Sequence, residues 1–118
     1  MKKAQGYISS KAIDGIWVPQ HIQNQVIRTW CIQNSLEYIL SVAEYNIGEY
    51  NQLKTALKTS AEYIVMYTIK QLPNCDKLIE NAMSKKIISF ASEDIICKDV
   101  DDIRKLKEII AIKRYFNG

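Results

Sequence analysis

One stretch of the chain constrains its fold more than any other. Residues 63–69 are Tyr-Ile-Val-Met-Tyr-Thr-Ile, an almost continuously apolar run. A strand with one solvent-exposed face alternates apolar and polar residues, whereas a strand that is buried on both faces is apolar throughout. The run therefore predicts a central strand of a parallel sheet with helices on both sides.

Strand and helix patterns alternate along the rest of the chain. Predicted strands cover residues 4–10, 37–43, 63–69 and 87–91. The predicted helices are residues 20–34 after Pro19, a short helix marked by Tyr50, Leu53 and Leu57, a third marked by Leu78, Ile79, Ala82 and Met83, and a fourth from an Asp99 N-cap to about Tyr115. Strict alternation favours parallel strands joined by right-handed crossovers. We therefore predict one α/β domain over residues 1–118, with three layers around a four-stranded, mainly parallel sheet and helices on both faces.

Helical spacing assigns a core face to the first and last helices. In the first, the apolar residues Ile22, Val26, Ile27, Trp30 and Cys31 follow one face. The last helix carries more apolar residues than one stripe needs: Ile103, Leu106, Ile109, Ile110, Ile112, Tyr115 and Phe116. The excess predicts that part of this helix packs on a second copy, as in a homo-oligomer.

Charge and composition exclude several classes of protein. The chain is 47% hydrophobic and 25% charged, as soluble globular proteins are. Its net charge is +3, and only three of its 16 basic residues are arginine. The lysines are scattered, so a solvated surface explains them better than a nucleic-acid footprint. Nucleic acid is therefore an improbable partner.

Cysteine usage and missing motifs narrow the chemistry further. Three cysteines without a CxxC pair argue against a disulfide framework, and with a single histidine they predict no metal site. Glycine-rich nucleotide motifs such as GxGxxG and the P-loop are absent, so we expect no cofactor. No run approaches the ~20 apolar residues of a membrane span. We expect a cytoplasmic protein without a signal peptide or membrane segment.

Polar residues gather at the carboxyl ends of the predicted strands, where ligands bind in open parallel sheets. His21 lies in the first turn of a helix, where free N–H groups attract anions, and we expect it to be a general acid/base. Ser10 is a candidate nucleophile or phosphate ligand, and Glu44 a base or a partner that orients His21. The candidate substrate-binding residues are Ser9, Lys11, Gln20, Asn24, Tyr45, Tyr67 and Glu93.

Each of these residues also has a purely structural interpretation. A serine pair such as Ser9 and Ser10 at a strand end is common in turns. His21 has an equally ordinary role as a surface or capping residue. Glu44 suits a solvated loop, and Tyr67 inside the central strand suits the core. The convergence of several polar groups at one sheet edge is what favours a site.

The chain resembles the small "sporadic carbohydrate cluster" proteins encoded among bacterial genes for surface polysaccharides. The resemblance rests on residues 6–10 (Gly-Tyr-Ile-Ser-Ser), on residues 18–24 (Val-Pro-Gln-His-Ile-Gln-Asn) with 26–28 (Val-Ile-Arg), on Glu44-Tyr45 and on Leu72-Pro73. It covers most of the chain, and residues 18–24 are its most distinctive part. It implies a role in making or decorating lipopolysaccharide or capsule.

A more distant resemblance, to the catalytic domain of serine recombinases, covers the whole domain. It rests on Gly6-Tyr7 at the first strand and on residues 69–72 (Ile-Lys-Gln-Leu) after the central strand. Lys11 falls where that family has its nucleophilic serine, and Gln71 stands in place of a catalytic arginine. The resemblance implies a resolvase-like fold, with a flavodoxin-like fold as the alternative, and not recombinase activity.

Two functions compete at this point. In the first, the chain is a small enzyme that acts on a phosphorylated or nucleotide-linked sugar, with the phosphate at the start of the first helix. In the second, it is a non-catalytic binding or scaffold subunit in the same pathway, because it carries no known catalytic signature. A nucleic-acid-binding relative of the recombinases is a third and weaker alternative.

Overall fold

A computed structural model describes residues 1–45, 49–73 and 75–117, with the side chains of the last helix described as far as residue 113. The strands are β1 (Lys3–Ser9), β2 (Glu37–Glu44), β3 (Tyr63–Met66), β4 (Ile87–Phe90) and β5 (Ile95–Cys97). The helices are α1 (Gln20–Gln33), α2 (Asn51–Ala56), α3 (Asp76–Lys85) and α4 (Val100–Asn117), and one 3₁₀ turn covers Ile69–Gln71.

The five strands form a single sheet in the order β2-β1-β3-β4-β5. The first four are parallel, and β5 pairs antiparallel with β4. The predicted α/β class with a mainly parallel sheet is therefore confirmed, but the predicted count of four strands is wrong. In this order the connections between strands change direction at the neighbouring strands β1 and β3.

The fifth strand follows β4 without an intervening helix. Asp94 adopts a left-handed backbone conformation with φ 55°, and its N–H donates to the carbonyl of Ala91 at 3.2 Å. This tight turn sends residues 95–97 back along β4, which only an antiparallel pairing allows. Three residues are too few to show the alternation of a strand, so β5 could not be predicted from the sequence.

Opposite faces of the sheet carry different helices. On one face, Ile27 and Trp30 of α1 pack with Ala4 of β1 and Val65 of β3. On the other face, residues of α2, α3 and α4 pack with alternate residues of β1, β3 and β4, which are Tyr7, Ile64, Met66, Ile88 and Phe90. Ile64, Val65 and Met66 are completely buried, which explains the continuous apolar run in the sequence.

The central strand is shorter than its apolar run. It ends at Met66 rather than at Ile69, because Thr68 begins the 3₁₀ turn. The Thr68 hydroxyl accepts from the Lys70 N–H, and the Gln71 side chain accepts from the Thr68 N–H. This reciprocal capping satisfies donors that a continuing strand would have paired with β1 or β4.

The ends of α1 and the start of α4 lie close to the positions that the sequence predicts. Pro19 is the N-cap of α1, and the backbone N–H of Asn34 closes its C-terminus on the carbonyl of Trp30 at 3.0 Å. The Asp99 carboxylate accepts from the Asp102 N–H at 2.9 Å, which confirms Asp99 as the residue that caps α4. Among the described residues, no helix combines the length and apolarity needed to cross a bilayer.

The apolar residues of α4 divide between two faces. Ile103 and Leu106 are buried in the core, and Ile110 packs against it partly buried. Ile109 and Ile112 are instead 50% and 56% exposed. The predicted excess of apolar residues is therefore present on the surface of α4, while the side chains of Tyr115 and Phe116 lie outside the described residues.

Gly6 allows β1 and β2 to approach closely. A Cβ at this position would overlap the Ser41 Oγ and would lie 3.1 Å from Cε2 of Tyr38. The Ser41 hydroxyl shares a 2.8 Å hydrogen bond with the Tyr38 hydroxyl, so it cannot turn away without losing that partner. The space at Gly6 is thus defined by two side chains of β2 that hold each other in place.

We predict that Gly6→Ala lowers the free energy of unfolding by about 1–3 kcal/mol, the usual cost of overpacking. Adding Ser41→Ala to Gly6→Ala removes the oxygen that the new methyl group meets, and should recover part of the loss. Urea denaturation of both variants and of Ser41→Ala alone measures the effect. A double variant no more stable than Gly6→Ala would contradict this packing.

Candidate functional site

A small cavity lies at the carboxyl edge of the sheet, beside the ends of β1 and β3. Its volume is about 120 Å³. The polar residues that line it are Tyr7, Ser9, Asp14, Glu44, Tyr50, Lys70 and Gln71. It is smaller than the ~300–1,000 Å³ of pockets for drug-sized ligands, so it accepts one small group of a ligand rather than a whole dinucleotide.

The end of β1 is completed by a side chain rather than by a strand. Ser10 donates its N–H to the Glu44 carbonyl of β2, so the Ser9 N–H and carbonyl face the opposite side, toward β3. There β3 has already ended, and the amide of Gln23 pairs with both groups at 2.9 Å. The Gln23 NH₂ also donates to the Val18 carbonyl at 2.8 Å. Gln23 is fully buried and ties α1, β1 and the loop before α1 together.

A second buried amide connects this point to β3. The Gln71 NH₂ donates to the Ser9 Oγ at 3.1 Å and to the Gln23 Oε1 at 3.4 Å. The Gln71 Oε1 accepts from the Thr68 N–H at 3.0 Å. The two glutamines therefore fill the gap between the diverging ends of β1 and β3. Because Gln71 donates to the Ser9 Oγ, the hydroxyl proton of Ser9 is left to donate to a ligand in the cavity that Ser9 lines.

The Glu44 carboxylate forms the floor of the cavity on the β2 side. It accepts from the Tyr7 hydroxyl at 2.9 Å and from the backbone N–H groups of Gln52 and Leu53 at 3.2 Å. A carboxylate that bonds these N–H groups caps the start of α2. Burial and the neighbouring Glu44 carboxylate raise the pKa of Tyr7 well above its ordinary value, so its phenol is a neutral donor at physiological pH.

The loop before α1 closes one side of the cavity. Ile13 and Ile16 are paired by two backbone hydrogen bonds of 2.7 and 3.0 Å. Between them, Asp14 and Gly15 have φ angles of 51° and 79°, as a two-residue hairpin turn requires. The Asp14 carboxylate lies 3.5 Å from the Lys70 Nζ. This ion pair joins the hairpin to the segment after β3 at the mouth of the cavity.

Two carboxylates in the turn between β4 and β5 bind the 3₁₀ turn after β3 and helix α1. The Glu93 carboxylate accepts from the Thr68 hydroxyl and from the Ile69 N–H, both at 2.8 Å. The adjacent Asp94 accepts from the Trp30 Nε1 of α1 at 2.8 Å. Two successive acidic residues therefore fix the 3₁₀ turn and α1 relative to β4.

The structure brings together only some of the residues predicted from the sequence. Ser9 and Glu44 line the cavity, and the Ser10 hydroxyl donates to the Glu44 carbonyl at 3.1 Å beside it. Glu93 reaches the segment after β3 but acts there as a cap. The described hydrogen bonds of the Glu44 carboxylate include none to His21, so the expected pairing of these two side chains has no contact in this structure.

The other predicted residues lie away from the cavity lining. Lys11, Gln20, His21 and Tyr45 are exposed. The Asn24 side chain accepts from the Tyr38 hydroxyl at 3.4 Å, on the α1 face of the sheet. Tyr67 packs against the apolar cluster under α1, as its core interpretation predicts.

Sequence reasoning missed the two glutamines, although one had a recognisable signal. Gln23 precedes Ile27 by four residues and Trp30 by seven, so it occupies a position of the core stripe. Ile22, which the spacing had assigned to that stripe, is 39% exposed. A polar residue at a core position needs internal hydrogen-bond partners, and this requirement could have marked Gln23. No comparable signal marks Gln71, which enters the sequence analysis only because it stands in place of an arginine of the serine recombinases.

The side chains that line the cavity offer hydrogen-bond donors and acceptors and one positive charge, that of Lys70. Serine and tyrosine hydroxyls, glutamine amides and two carboxylates suit a ligand rich in hydroxyl groups, and Lys70 supplies the positive charge. Within the described part of the chain, no three His, Cys, Asp or Glu side chains are grouped so that they could hold a metal ion. Comparison with protein-family models, with curated proteins and with solved structures finds no match for this chain.

We predict that Gln23→Leu costs about 3 kcal/mol of folding free energy. The leucine fills the space but leaves the Ser9 N–H, the Ser9 carbonyl and the Val18 carbonyl without partners, and each buried orphan costs ~1–3 kcal/mol. Gln25→Leu, two residues further along the same helix at an exposed position, should change stability by less than ~0.5 kcal/mol. Chemical denaturation compares the pair, and equal midpoints would refute the structural role of Gln23.

Proposed function

We propose that this chain binds a phosphorylated or nucleotide-linked sugar at the carboxyl edge of its sheet, in the biosynthesis of bacterial surface polysaccharide. The observation that supports the proposal most directly is the cavity beside the ends of β1 and β3, into which several polar side chains project from an otherwise apolar lining. That position is where open α/β sheets bind ligands. The pathway is drawn from the resemblance to the sporadic carbohydrate cluster proteins.

The composition of the cavity suits such a ligand. A sugar offers several hydroxyl groups, and the lining offers the Ser9 hydroxyl as a donor and the Asp14 and Glu44 carboxylates as acceptors. The Ser9 hydroxyl is held by Gln71 and the Glu44 carboxylate by the start of α2, so these two side chains lose little freedom when a ligand binds.

Lys70 is the group proposed to meet the phosphate. Its Nζ is paired with Asp14 at 3.5 Å, and both side chains are partly exposed, at 38% and 49%. An exposed ion pair of this kind contributes ~0–1 kcal/mol, so a dianionic phosphate competes for the lysine at small cost.

The proposal treats binding and catalysis separately. His21 is exposed in the first turn of α1 and remains the residue proposed as general acid/base, with Ser10 as the proposed nucleophile or phosphate ligand. The Glu44 carboxylate already accepts from Tyr7 and the start of α2. We therefore assign Glu44 to holding the floor of the cavity rather than to moving a proton. The scarcity of arginine argues against nucleic acid as the partner.

Thermal unfolding in the presence of candidate ligands tests the proposal. A ligand at about 100 times its dissociation constant stabilises a protein by ~2.7 kcal/mol, which raises the midpoint of a domain of this size by about 10 °C. We expect such a rise with a sugar phosphate or a nucleotide-linked sugar and none with the unphosphorylated sugar. If no phosphorylated ligand raises the thermal midpoint, the proposal is wrong.

Matched variants locate the binding site in the same experiment. Lys70→Gln keeps the side-chain length but removes the charge, and should abolish the rise while changing the ligand-free midpoint little. Lys107→Gln, at an exposed position on α4, should keep the full rise. His21→Ala should keep the rise and lose turnover, whereas loss of the rise in His21→Ala would place the phosphate at the start of α1.

The exposed apolar residues of α4 support the second candidate, a binding or scaffold subunit that works in an assembly. Ile109 and Ile112 lie on the side of α4 that does not pack on the core, and both are at least half exposed. Exposed aliphatic side chains grouped on one helix face mark a protein–protein contact. We propose a homo-oligomer that buries this face of α4.

We predict that the protein sediments as an oligomer at micromolar concentration and that Ile109→Ser with Ile112→Ser makes it a monomer. Both residues are exposed, so the double change should leave the thermal midpoint of the monomer nearly unaltered. Ile32→Ser, at a 77% exposed position of α1, is the control and should leave the oligomer intact. A monomeric wild-type protein would refute self-association, and a stoichiometric foreign partner would favour the scaffold function.

A further inference from the structure

We infer that Trp17 is a stacking platform at the rim of the cavity, on which a ring of the bound ligand lies. The inference rests on the proposed function and adds which part of the ligand the protein recognises outside the cavity. Trp17 is 66% exposed, and the preceding Ile16 is 63% exposed. The other tryptophan, Trp30, is only 4% exposed and donates its indole N–H to Asp94. Only one of the two indoles is therefore available to a ligand.

Trp17 is fixed in place from both sides. The hairpin before it is closed by the two Ile13–Ile16 hydrogen bonds. The residue after it, Val18, gives its carbonyl to the buried amide of Gln23. An indole on a loop held at both ends loses less freedom on binding than one on a loose segment.

The same loop forms a wall of the cavity. Ala12, Ile13 and Asp14 line it, and Ile13 is buried at 7% exposure. Trp17 follows these residues by only three to five positions, and the hairpin turn reverses the chain between them. Trp17 does not itself line the cavity, and we place its indole beside the mouth, outside the volume that the lining encloses.

The position defines what the indole recognises. A cavity of about 120 Å³ accepts one small group, so the remainder of a larger ligand must lie outside it. A nucleotide carries a flat aromatic base, and a phosphorylated sugar has a puckered ring with one face of C–H groups. Such a ring covers an exposed indole favourably, by stacking and by removal of apolar surface from water. The ring is either the sugar itself or a nucleobase, and the ligands tested below separate these sources.

Fluorescence measures Trp17 directly. In Trp30→Phe the only indole is Trp17, and its quenching by acrylamide reports how accessible it is. We expect glucose 1-phosphate, uridine monophosphate or UDP-glucose at saturation to reduce the quenching at least twofold. Protection by glucose 1-phosphate identifies the sugar as the stacked ring, and protection by the two uridine ligands alone identifies the base. If Trp30→Phe does not fold, the difference between wild type and Trp17→Phe gives the same signal.

Binding measured by calorimetry supplies the second readout. Trp17→Ala should weaken the same ligands about 10-fold, a typical loss for one stacked ring, while Trp17→Phe should retain most of the affinity. Both variants should keep the ligand-free thermal midpoint, because the replaced side chain is exposed.

The outcomes separate this inference from the proposed function. Ligands that raise the thermal midpoint but leave both the quenching and the Trp17→Ala affinity unchanged would overturn the role of Trp17 and leave the cavity proposal intact. Quenching that falls as the ligand-free protein is concentrated would show that a second copy covers Trp17, which also overturns it. If no phosphorylated ligand raises the midpoint or protects Trp17, both proposals fail.

Discussion

The carboxyl edge of this sheet depends on one side-chain interaction, the pairing of the Gln23 amide with the backbone of Ser9. Parallel strands that diverge at a change of winding direction leave backbone groups without a strand partner. A buried amide supplies both a donor and an acceptor, so it makes the two hydrogen bonds with Ser9 that a neighbouring strand would otherwise make. Because the amide belongs to α1, the same bonds fix that helix to the strand. Gln71 extends the arrangement to the segment after β3 and reaches the Ser9 hydroxyl.

The carboxyl edge of the sheet has a cavity lined partly by polar side chains and, outside it, an exposed indole. The two would bind different parts of the proposed ligand. Inside, the carboxylates and hydroxyls of Glu44, Tyr7 and Ser9 are held by backbone or by each other, with Lys70 at the mouth. Outside, the hairpin that carries Asp14 continues into the exposed Trp17. Polar groups fixed in a small cavity bind hydroxyl and phosphate groups through directed hydrogen bonds. An exposed indole instead binds a ring through stacking and through the apolar area that the contact buries. The proposed function and the proposed role of Trp17 share this division.

Local patterns in the sequence predicted the order of the large elements and missed the features made by turns. The apolar run at residues 63–69 predicted a doubly covered strand, and Ile64 and Val65 are indeed fully buried. The run did not reveal its own end, because the capping by Thr68 depends on a glutamine three residues later. The Asp14-Gly15 turn had a usable signal, since Asp-Gly between isoleucines is typical of a tight hairpin. Ser9 and Glu44 were predicted at the cavity because strand ends meet there in any parallel sheet.

By itself, the sequence determined the α/β class, the central strand, the Asp99 cap and the end of α1 near residue 34, and it predicted a site at the carboxyl edge of the sheet. These follow from periodicity and short-range chemistry, which act over a few residues. Only the tertiary structure decided which polar side chains meet at that edge. Gln23 and Gln71 are 48 residues apart, and Glu44 is 37 residues from Tyr7, so their contacts exist only once the strands are in register. The antiparallel β5 likewise required β4 as a template, because three residues have no period of their own.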